Sequence, residues 1–226
     1  MNAVYNKFIE NIESIRVLGN IYDQNILQYP ILEEVLSDIL RFQFLYSVSA
    51  LDRFIHEIVK KEMVKNIVNN NQLTDKAEDF KFSLKTVNKI LTISKNNSMP
   101  ITQEDTIEYW IEKEILDKHK LLAFQSPDKI SDALSNIWDE NDKWKKIVSK
   151  MTIQFNGNND TQKANDLKQR IKVITERRNQ IVHEADIDVV SQVKRTIDKS
   201  SVAETINIVE DLGKSIYKCL NPNATT

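Results

Sequence analysis

A long amphipathic stretch, from residue 31 to residue 69, is the feature that most limits how this chain can fold. Its apolar residues recur three or four positions apart, which is the spacing that places side chains on one face of an α-helix. At ~1.5 Å of rise per residue, such a helix would be more than ~50 Å long. We expect one long helix, or two helices end to end, that forms the backbone of a bundle. The repeating positions are Leu32, Val35, Leu36, Ile39, Phe42, Leu45, Val48, Leu51, Ile55, Ile58 and Val59.

Residues that interrupt helices are scarce in the whole chain. The 226 residues include 3 glycines and 4 prolines, whereas average usage would give roughly 16 and 11. An all-β sandwich needs many more turn residues, so the composition favours a mostly helical protein. With 41% apolar and 28% charged residues, the chain can bury a real core. We predict an all-α fold, a helical bundle with long antiparallel helices.

The length of the chain fits a single all-α domain spanning residues 1–226. A first helix at 3–18 is expected to end at a loop that starts near Gly19. Segment 70–125 is a candidate helical insertion, segment 94–102 is predicted to be a loop, and the tail at 221–226 is expected to be disordered. Further helices are expected at 75–91, 103–124, 141–151, about 160–185 and 201–220, the last of them capped by Ser200 or Ser201.

The net charge of −2 excludes a surface that is basic all over, so contact with RNA must come from a local patch. One cysteine, Cys219, allows neither an intrachain disulfide nor a cysteine-based zinc site, and it suits a reducing cytoplasm. The longest uncharged apolar stretch, at 42–51, is far shorter than the ~20 residues that a membrane-spanning helix needs. We expect a cytoplasmic protein without a membrane segment.

Positive charge is concentrated between residues 163 and 178. This segment holds six basic and two acidic residues, a local charge of +4. Such a cluster suits an anion such as a phosphodiester, although similar runs also occur on solvated helix faces. Arg170, Lys172 and Arg177 are therefore candidate substrate-binding residues. For Arg177, the alternative is a side chain that simply faces water.

Arg178 interrupts the apolar stripe of the predicted helix at 161–185. At 100° per residue, Asn179 and His183 lie four positions apart on another face, so their side chains are neighbours. Arg178 and His183 differ by about 140° on an ideal helix. They can therefore meet only through the length of the arginine or across a symmetric interface. The stripe consists of Leu167, Ile171, Ile174, Ile181 and Ala185.

Arginine, asparagine and histidine together suit cleavage of an RNA phosphodiester bond. Histidine titrates near neutrality and can act as base or acid, and arginine matches the phosphate oxygens and stays charged. Asn179 can orient the imidazole or bind the phosphate. No set of residues has good metal-ligand spacing, so we expect no cofactor. The alternative is an ordinary helix end, where His183 and the arginines favour the helix dipole.

Four further residues are candidates for a supporting role. Asp52 and His56 lie four positions apart on the long helix and can line the cleft or hold Arg178. As structural residues, they would form a surface pair or an interhelix hydrogen bond. Glu184 follows His183 directly and Asp186 lies three positions after it, so both either support its imidazole electrostatically or cap the end of the helix.

The stretch RRNQIVHEAD at 177–186 resembles the R-x(4–6)-H motif of the HEPN superfamily, with a polar residue directly after the motif arginine. It is especially similar to the branch called RiboL-PSP-HEPN. Two upstream stretches resemble the same branch, namely VSALDRFIHEIV at 48–59 and FQSPDKISDAL at 124–134. The resemblance extends over about residues 30–220.

This resemblance implies an α-helical bundle that dimerises, with the motif helices of two protomers forming a shared cleft. It implies a metal-independent endoribonuclease of a bacterial toxin–antitoxin or phage-defence system, whose partners are RNA, a second copy of the chain and an antitoxin or defence-system protein. Arg178 and His183 would be the catalytic pair, and Asn179 their polar support. The alternative is a non-catalytic HEPN-type module that binds RNA or another protein.

Overall fold

The structure is a computed structural model that describes residues 1–96 and 100–222. Within these residues the chain forms nine α-helices and no β-strand, which confirms the all-α prediction. None of the described helices is long and apolar enough to cross a bilayer. Residues 97–99 of the predicted loop and residues 223–226 of the predicted tail lie outside the described residues. The helices are α1 (Asn2–Gln28), α2 (Glu33–Val68), α3 (Asp75–Glu78), α4 (Leu84–Lys95), α5 (Ile107–His119), α6 (Pro127–Leu134), α7 (Lys143–Val148), α8 (Asp160–His183) and α9 (Lys199–Leu220).

Helix α1 continues ten residues beyond the predicted end at residue 18, so the loop expected near Gly19 is wrong. Gly19 is buried in the helix and faces Gln43 of α2. A Cβ at this position would lie 3.0 Å from Gln43 Nε2, and the same Nε2 donates a hydrogen bond of 2.8 Å to the carbonyl of Ile15. The glycine therefore permits a close approach of two helices and does not end one.

Side-chain caps explain two further differences from the sequence-based expectation. The predicted helix at 75–91 is two helices, because the Thr74 and Ser83 side chains each cap the start of one. Helix α9 begins at Lys199, earlier than predicted, and its cap is Asp198, whose side chain accepts from the backbone N–H of Ser201. Hydrogen bonds from Ser200 and Ser201 lower the pKa of Asp198 to about 2. The expected cap at Ser200 or Ser201 is therefore wrong by two or three positions.

The described chain divides into two compact units, and the division falls inside α2, after Phe54. The first, which we call the motif unit, contains residues 2–54, 125–127 and 142 onward. Its core includes a close contact between α1 and α9, because a Cβ on Gly213 would lie 2.3 Å from the Phe8 ring. Beside this contact, the rings of Tyr5 and Tyr217 stack with centroids 4.1 Å apart. Helix α7 packs against both α8 and α9.

The second unit, the central unit, contains Met1, residues 55–124 and residues 128–141. The candidate insertion at 70–125 lies mostly within it, so this segment shares a unit with the second half of α2. Lys60 of α2 is buried and forms ion pairs of 3.0 Å with Glu57 and 2.9 Å with Glu112 of α5. These contacts attach α5 to the second half of α2.

Candidate active site

Helix α8 carries the arginine, asparagine and histidine that sequence analysis brought together. The Asn159 side chain caps its start by accepting from the backbone N–H of Gln162. One face of the helix is buried in the motif unit, and Arg178, half-buried, interrupts that face. Ala185 was expected on this face, but it is exposed because α8 ends at His183. The buried residues are Ala164, Leu167, Ile171, Ile174 and Ile181.

Arg178 turns towards the exposed face of α8. Its Nη1 donates a hydrogen bond of 3.1 Å to Oδ1 of Asn179. Asn179 is exposed and lies one turn before His183, so the two side chains share a face. The length of the arginine therefore overcomes part of the 140° that separates it from His183 on an ideal helix.

His183 is the last residue of α8 and is exposed. In the part of the chain that the structure describes, no side chain or backbone group forms a hydrogen bond with its imidazole. Both ring nitrogens are thus open to solvent or to a ligand. A histidine in this state can donate or accept a proton at a bound substrate.

Directly after His183, the backbone turns sharply. Ala185 and Asp186 adopt left-handed conformations, with φ angles of 51° and 60°. The backbone N–H of Asp186 donates to the carbonyl of Gln180 at 3.1 Å, and the N–H of Glu184 donates to the same carbonyl at 3.1 Å. This arrangement closes the last turn of α8 in the manner of a left-handed helix cap. As a result, the Asp186 side chain points into the motif unit.

The Asp186 carboxylate is fully buried between two arginines. Arg41 of α2 donates from Nε to Oδ2 at 2.6 Å. Arg177 of α8 donates to both carboxylate oxygens, with Nη2 2.9 Å from Oδ2. Arg41 also donates from Nη2 to the carbonyl of Arg195 at 2.6 Å. We call Arg41, Arg177 and Asp186 the arginine–aspartate hub; it ties the end of the motif helix to α2 and to the segment after it.

Arg41 is the residue of this hub that sequence analysis missed. Its signal was present, because Arg41 lies three and seven positions before the buried Phe44 and Val48 and so shares their face of α2. The same reasoning that singled out Arg178 on α8 would have identified it. Its partner was not predictable in this way, since Asp186 lies 145 residues further along the chain.

The three candidate substrate-binding residues lie in different surroundings. Arg170 pairs with Asp166 at 3.1 Å and Glu204 at 3.4 Å. Arg170 and Arg177 both line a cavity of about 400 Å³ between α8 and α9. Lys172 is exposed, and no described residue forms an ion pair with it. Because Lys172 lies seven positions before Asn179 and eleven before His183, these three side chains share the exposed face of α8.

The four supporting candidates lie in different surroundings. Glu184 forms an exposed ion pair of 3.0 Å with Arg195, whereas Asp186 belongs to the hub. Asp52 lies half-buried in the motif unit. His56 belongs to the central unit, where its ring packs on Phe124 with centroids 4.2 Å apart.

His119 lies beside His56 in the central unit, with ring centroids 5.8 Å apart. Burial, and to a smaller extent the charge of His56, lower the pKa of His119 from 6.5 to about 4.

Among residues 1–96 and 100–222, no group of three or more His, Cys, Asp or Glu side chains is arranged to hold a metal ion. The structure therefore assigns no residue to a metal.

Comparison with known proteins identifies a family for this chain. The chain matches the family model described as RiboL-PSP-HEPN over residues 6–222, which is nearly its whole length. No curated protein and no solved structure matches it. The matched range includes all of α8 and all three residues of the hub. The chain is a member of the RiboL-PSP-HEPN family.

Proposed function

We propose that this protein is a metal-independent endoribonuclease that cleaves RNA at the exposed face of α8. The observation that carries this proposal is the hydrogen bond from Arg178 to Asn179, which brings a guanidinium to the face that also presents the open imidazole of His183. Membership of a HEPN family supports an RNase-type or RNA-related function. The exposed Lys172 on the same face adds a positive charge for the RNA backbone.

The proposed reaction is an attack by the 2′-hydroxyl of a ribose on the adjacent phosphorus. His183 accepts the 2′-hydroxyl proton as a general base, or donates a proton to the departing 5′-oxygen as a general acid. The new O2′–P bond forms as the P–O5′ bond breaks, which leaves a 2′,3′-cyclic phosphate and a 5′-hydroxyl. Arg178 stabilises the additional negative charge on the phosphoryl oxygens in the transition state, and Asn179 holds the guanidinium in place.

A second copy of the chain completes the proposed site. One histidine does not serve well as both base and acid, whereas two motif helices face to face supply two histidines and two arginines to a shared cleft. The exposure of the last turn of α8 supports this arrangement, because Val182 is 44% exposed and Arg178 and Ala185 are also accessible. In a homodimer these side chains would form part of a symmetric contact.

We further propose that the enzyme acts in the bacterial cytoplasm as part of a toxin–antitoxin or phage-defence system. A ribonuclease with an accessible catalytic face must be inhibited in the cell that makes it, because it would otherwise cleave the RNA of that cell. A partner protein that covers the exposed face of α8 would inhibit it. Such a partner would occupy Lys172, Asn179 and His183, so binding of the partner and binding of RNA would exclude each other.

The test is incubation of the purified protein with total RNA in the presence of EDTA. We expect cleavage products that end in 2′,3′-cyclic phosphates, and we expect His183→Ala and Arg178→Ala to abolish them. Asn165→Ala is the matched control, because Asn165 is exposed on the same helix, more than four turns away from His183. Cleavage that survives both substitutions would disprove the proposed site. Binding of RNA without cleavage would show that the protein is a non-catalytic module.

A further inference from the structure

A groove between α1 and α2 forms a second concave surface in the motif unit, with a volume of about 480 Å³. We call it the α1–α2 groove. Its volume is within the ~300–1,000 Å³ range of small-molecule sites. Its lining is apolar and aromatic with a few polar side chains, as in most ligand sites. The lining residues are Asn11, Ser14, Ile15, Leu18, Phe42, Tyr46, Ser49, Ala50 and Arg53.

Two aromatic rings are presented to solvent in this groove. Phe42 is 46% exposed and Tyr46 is 50% exposed, and their ring centroids are 4.3 Å apart. They lie one turn apart on α2, so the helix holds them side by side. Exposed rings of this kind act as platforms for nucleobases, because every base has a flat π-face that stacks on an aromatic side chain.

Arg53 supplies a positive charge at the other end of the groove. It is exposed, and no described residue forms a hydrogen bond or ion pair with it. It lies seven positions after Tyr46, a rise of about 10.5 Å, and helical side chains lean back towards the N-terminus. Among the described residues that line the groove, Arg53 is the only charged one. Its guanidinium is therefore available to an anion about two helical turns along α2 from Tyr46.

Two polar side chains lie between these features. Asn11 of α1 and Ser49 of α2 line the groove, and neither has a hydrogen-bond partner among the described residues. An amide and a hydroxyl together offer donors and acceptors. They suit the edge of a nucleobase or the hydroxyls of a ribose.

We propose that the α1–α2 groove binds a nucleotide, with its base on Tyr46 and its phosphate on Arg53. This inference rests on the proposed ribonuclease for the source of that nucleotide, which is a segment of the RNA substrate outside the cleavage site. A free mononucleotide presents the same base, sugar and phosphate, so it is the second source. In either case the groove is a binding site separate from the motif on α8.

The experiment measures binding by the full-length His183→Ala protein, so that RNA is not cleaved. The probes are AMP and a short fluorescein-labelled single-stranded RNA. Tyr46→Ala should weaken binding at least about fivefold, which corresponds to the lower limit of ~1 kcal/mol for one stacked base. Arg53→Gln should weaken binding and reduce the slope of log K against log salt for the RNA by about 0.7.

Matched controls separate the groove from the general surface. Tyr29→Ala removes another ring with 46% exposure, and Lys61→Gln removes an exposed positive charge elsewhere. Thermal melts verify that every variant is folded. Both groove residues are exposed, so two independent substitutions test the site without disturbing the core.

Each outcome decides the proposal. Weaker binding of both probes by the groove variants supports a nucleotide site that accepts AMP alone, and weaker binding of the RNA alone supports a site that needs the strand. Groove variants that bind like the controls would overturn the proposal. The proposal would also be overturned if Tyr46→Ala converted a dimer into a monomer in light scattering and left binding of both probes unchanged. In that case a second copy of the chain, and not a nucleotide, occupies the groove. If the groove variants weaken RNA binding but the wild-type protein does not cleave RNA, the proposed ribonuclease is disproved and the proposed nucleotide site is supported.

Discussion

The Nε of Arg41 lies 2.6 Å from Oδ2 of Asp186, across 145 residues of sequence, and both side chains are buried. Arg177 approaches the same carboxylate from α8. Removal of one partner from a buried ion pair leaves an uncompensated charge in a low-dielectric surrounding. The hub therefore makes the position of the motif helix depend on a residue of α2.

Asp186→Ala should destabilise the protein by about 3–5 kcal/mol, because it leaves the buried Arg41 and the half-buried Arg177 without their shared acceptor. Urea denaturation followed by circular dichroism measures this change. Glu184→Gln is the control, since it breaks an exposed ion pair with Arg195 that should be worth less than about 1 kcal/mol. Equal losses of the free energy of unfolding for the two variants would show that the buried hub stabilises the protein no more than an exposed ion pair does.

His183→Ala should lower the rate of RNA cleavage at least about 100-fold, the smaller end of the range for general acid–base catalysis. Its free energy of unfolding should change by less than about 0.5 kcal/mol, because the side chain is exposed and has no hydrogen-bond partner among the described residues. Arg178→Ala should reduce both activity and stability, since the arginine stem covers part of the buried face. Single-turnover kinetics and denaturation of the same preparations measure the two effects. A large loss of stability for His183→Ala would contradict this division of roles.

A mixture of the Arg178→Ala and His183→Ala proteins should regain activity that neither has alone. Half of the randomly exchanged dimers are mixed, and in the proposed shared cleft each mixed dimer keeps one arginine and one histidine, whereas a dimer of either variant alone lacks one of the two residue types entirely. Activity below the wild-type rate but above that of either variant is then expected. If both residues of a site come from the same chain, the mixture stays inactive. Light scattering at micromolar concentration provides the accompanying check, since a monomer would exclude the shared cleft.

Acid should destabilise the central unit through His119. Its pKa in the folded protein is lowered to about 4 by burial first and by His56 second, against 6.5 for the ordinary group. Above pH 6.5 both states are neutral at this position. As the pH falls from 6.5 towards 4, the unfolded state binds the proton first, so stability is lost in that interval. His119→Leu should show a smaller decrease in Tm between pH 7 and pH 5 than the wild type, and the exposed His183→Ala should show the full decrease.

Hydrophobic periodicity was sufficient to predict the helical class, the long helix α2 and the motif helix α8. It also showed that Arg178 interrupts an apolar face. In the structure, the arginine leaves that face by donating a hydrogen bond to Asn179. Periodicity works here because a buried helix face leaves the same three-or-four spacing in any sequence.

Contacts between distant segments were not predictable in the same way. Glycine is a poor helix former, so the sequence predicts a helix end near Gly19, whereas in the structure its lack of a side chain accommodates Gln43. Asp186 is a candidate to support the imidazole of His183 or to cap the end of the helix, and two consecutive left-handed residues turn its side chain inwards to Arg41. The local signal for that turn is weak, because neither residue is a glycine and only Asp186 belongs to the types that tolerate the left-handed region.

The last turn of a helix ordinarily frays, since its final carbonyls lack partners. In α8, the carbonyl of Gln180 accepts from both Glu184 and Asp186, and the Asp186 side chain is anchored by two arginines. Backbone amides at the end of this helix should therefore exchange slowly with solvent deuterium, although the His183 side chain is exposed. In the proposed ribonuclease, the backbone that carries the imidazole is therefore in position before RNA binds, and little backbone conformational entropy remains to be lost when the substrate arrives.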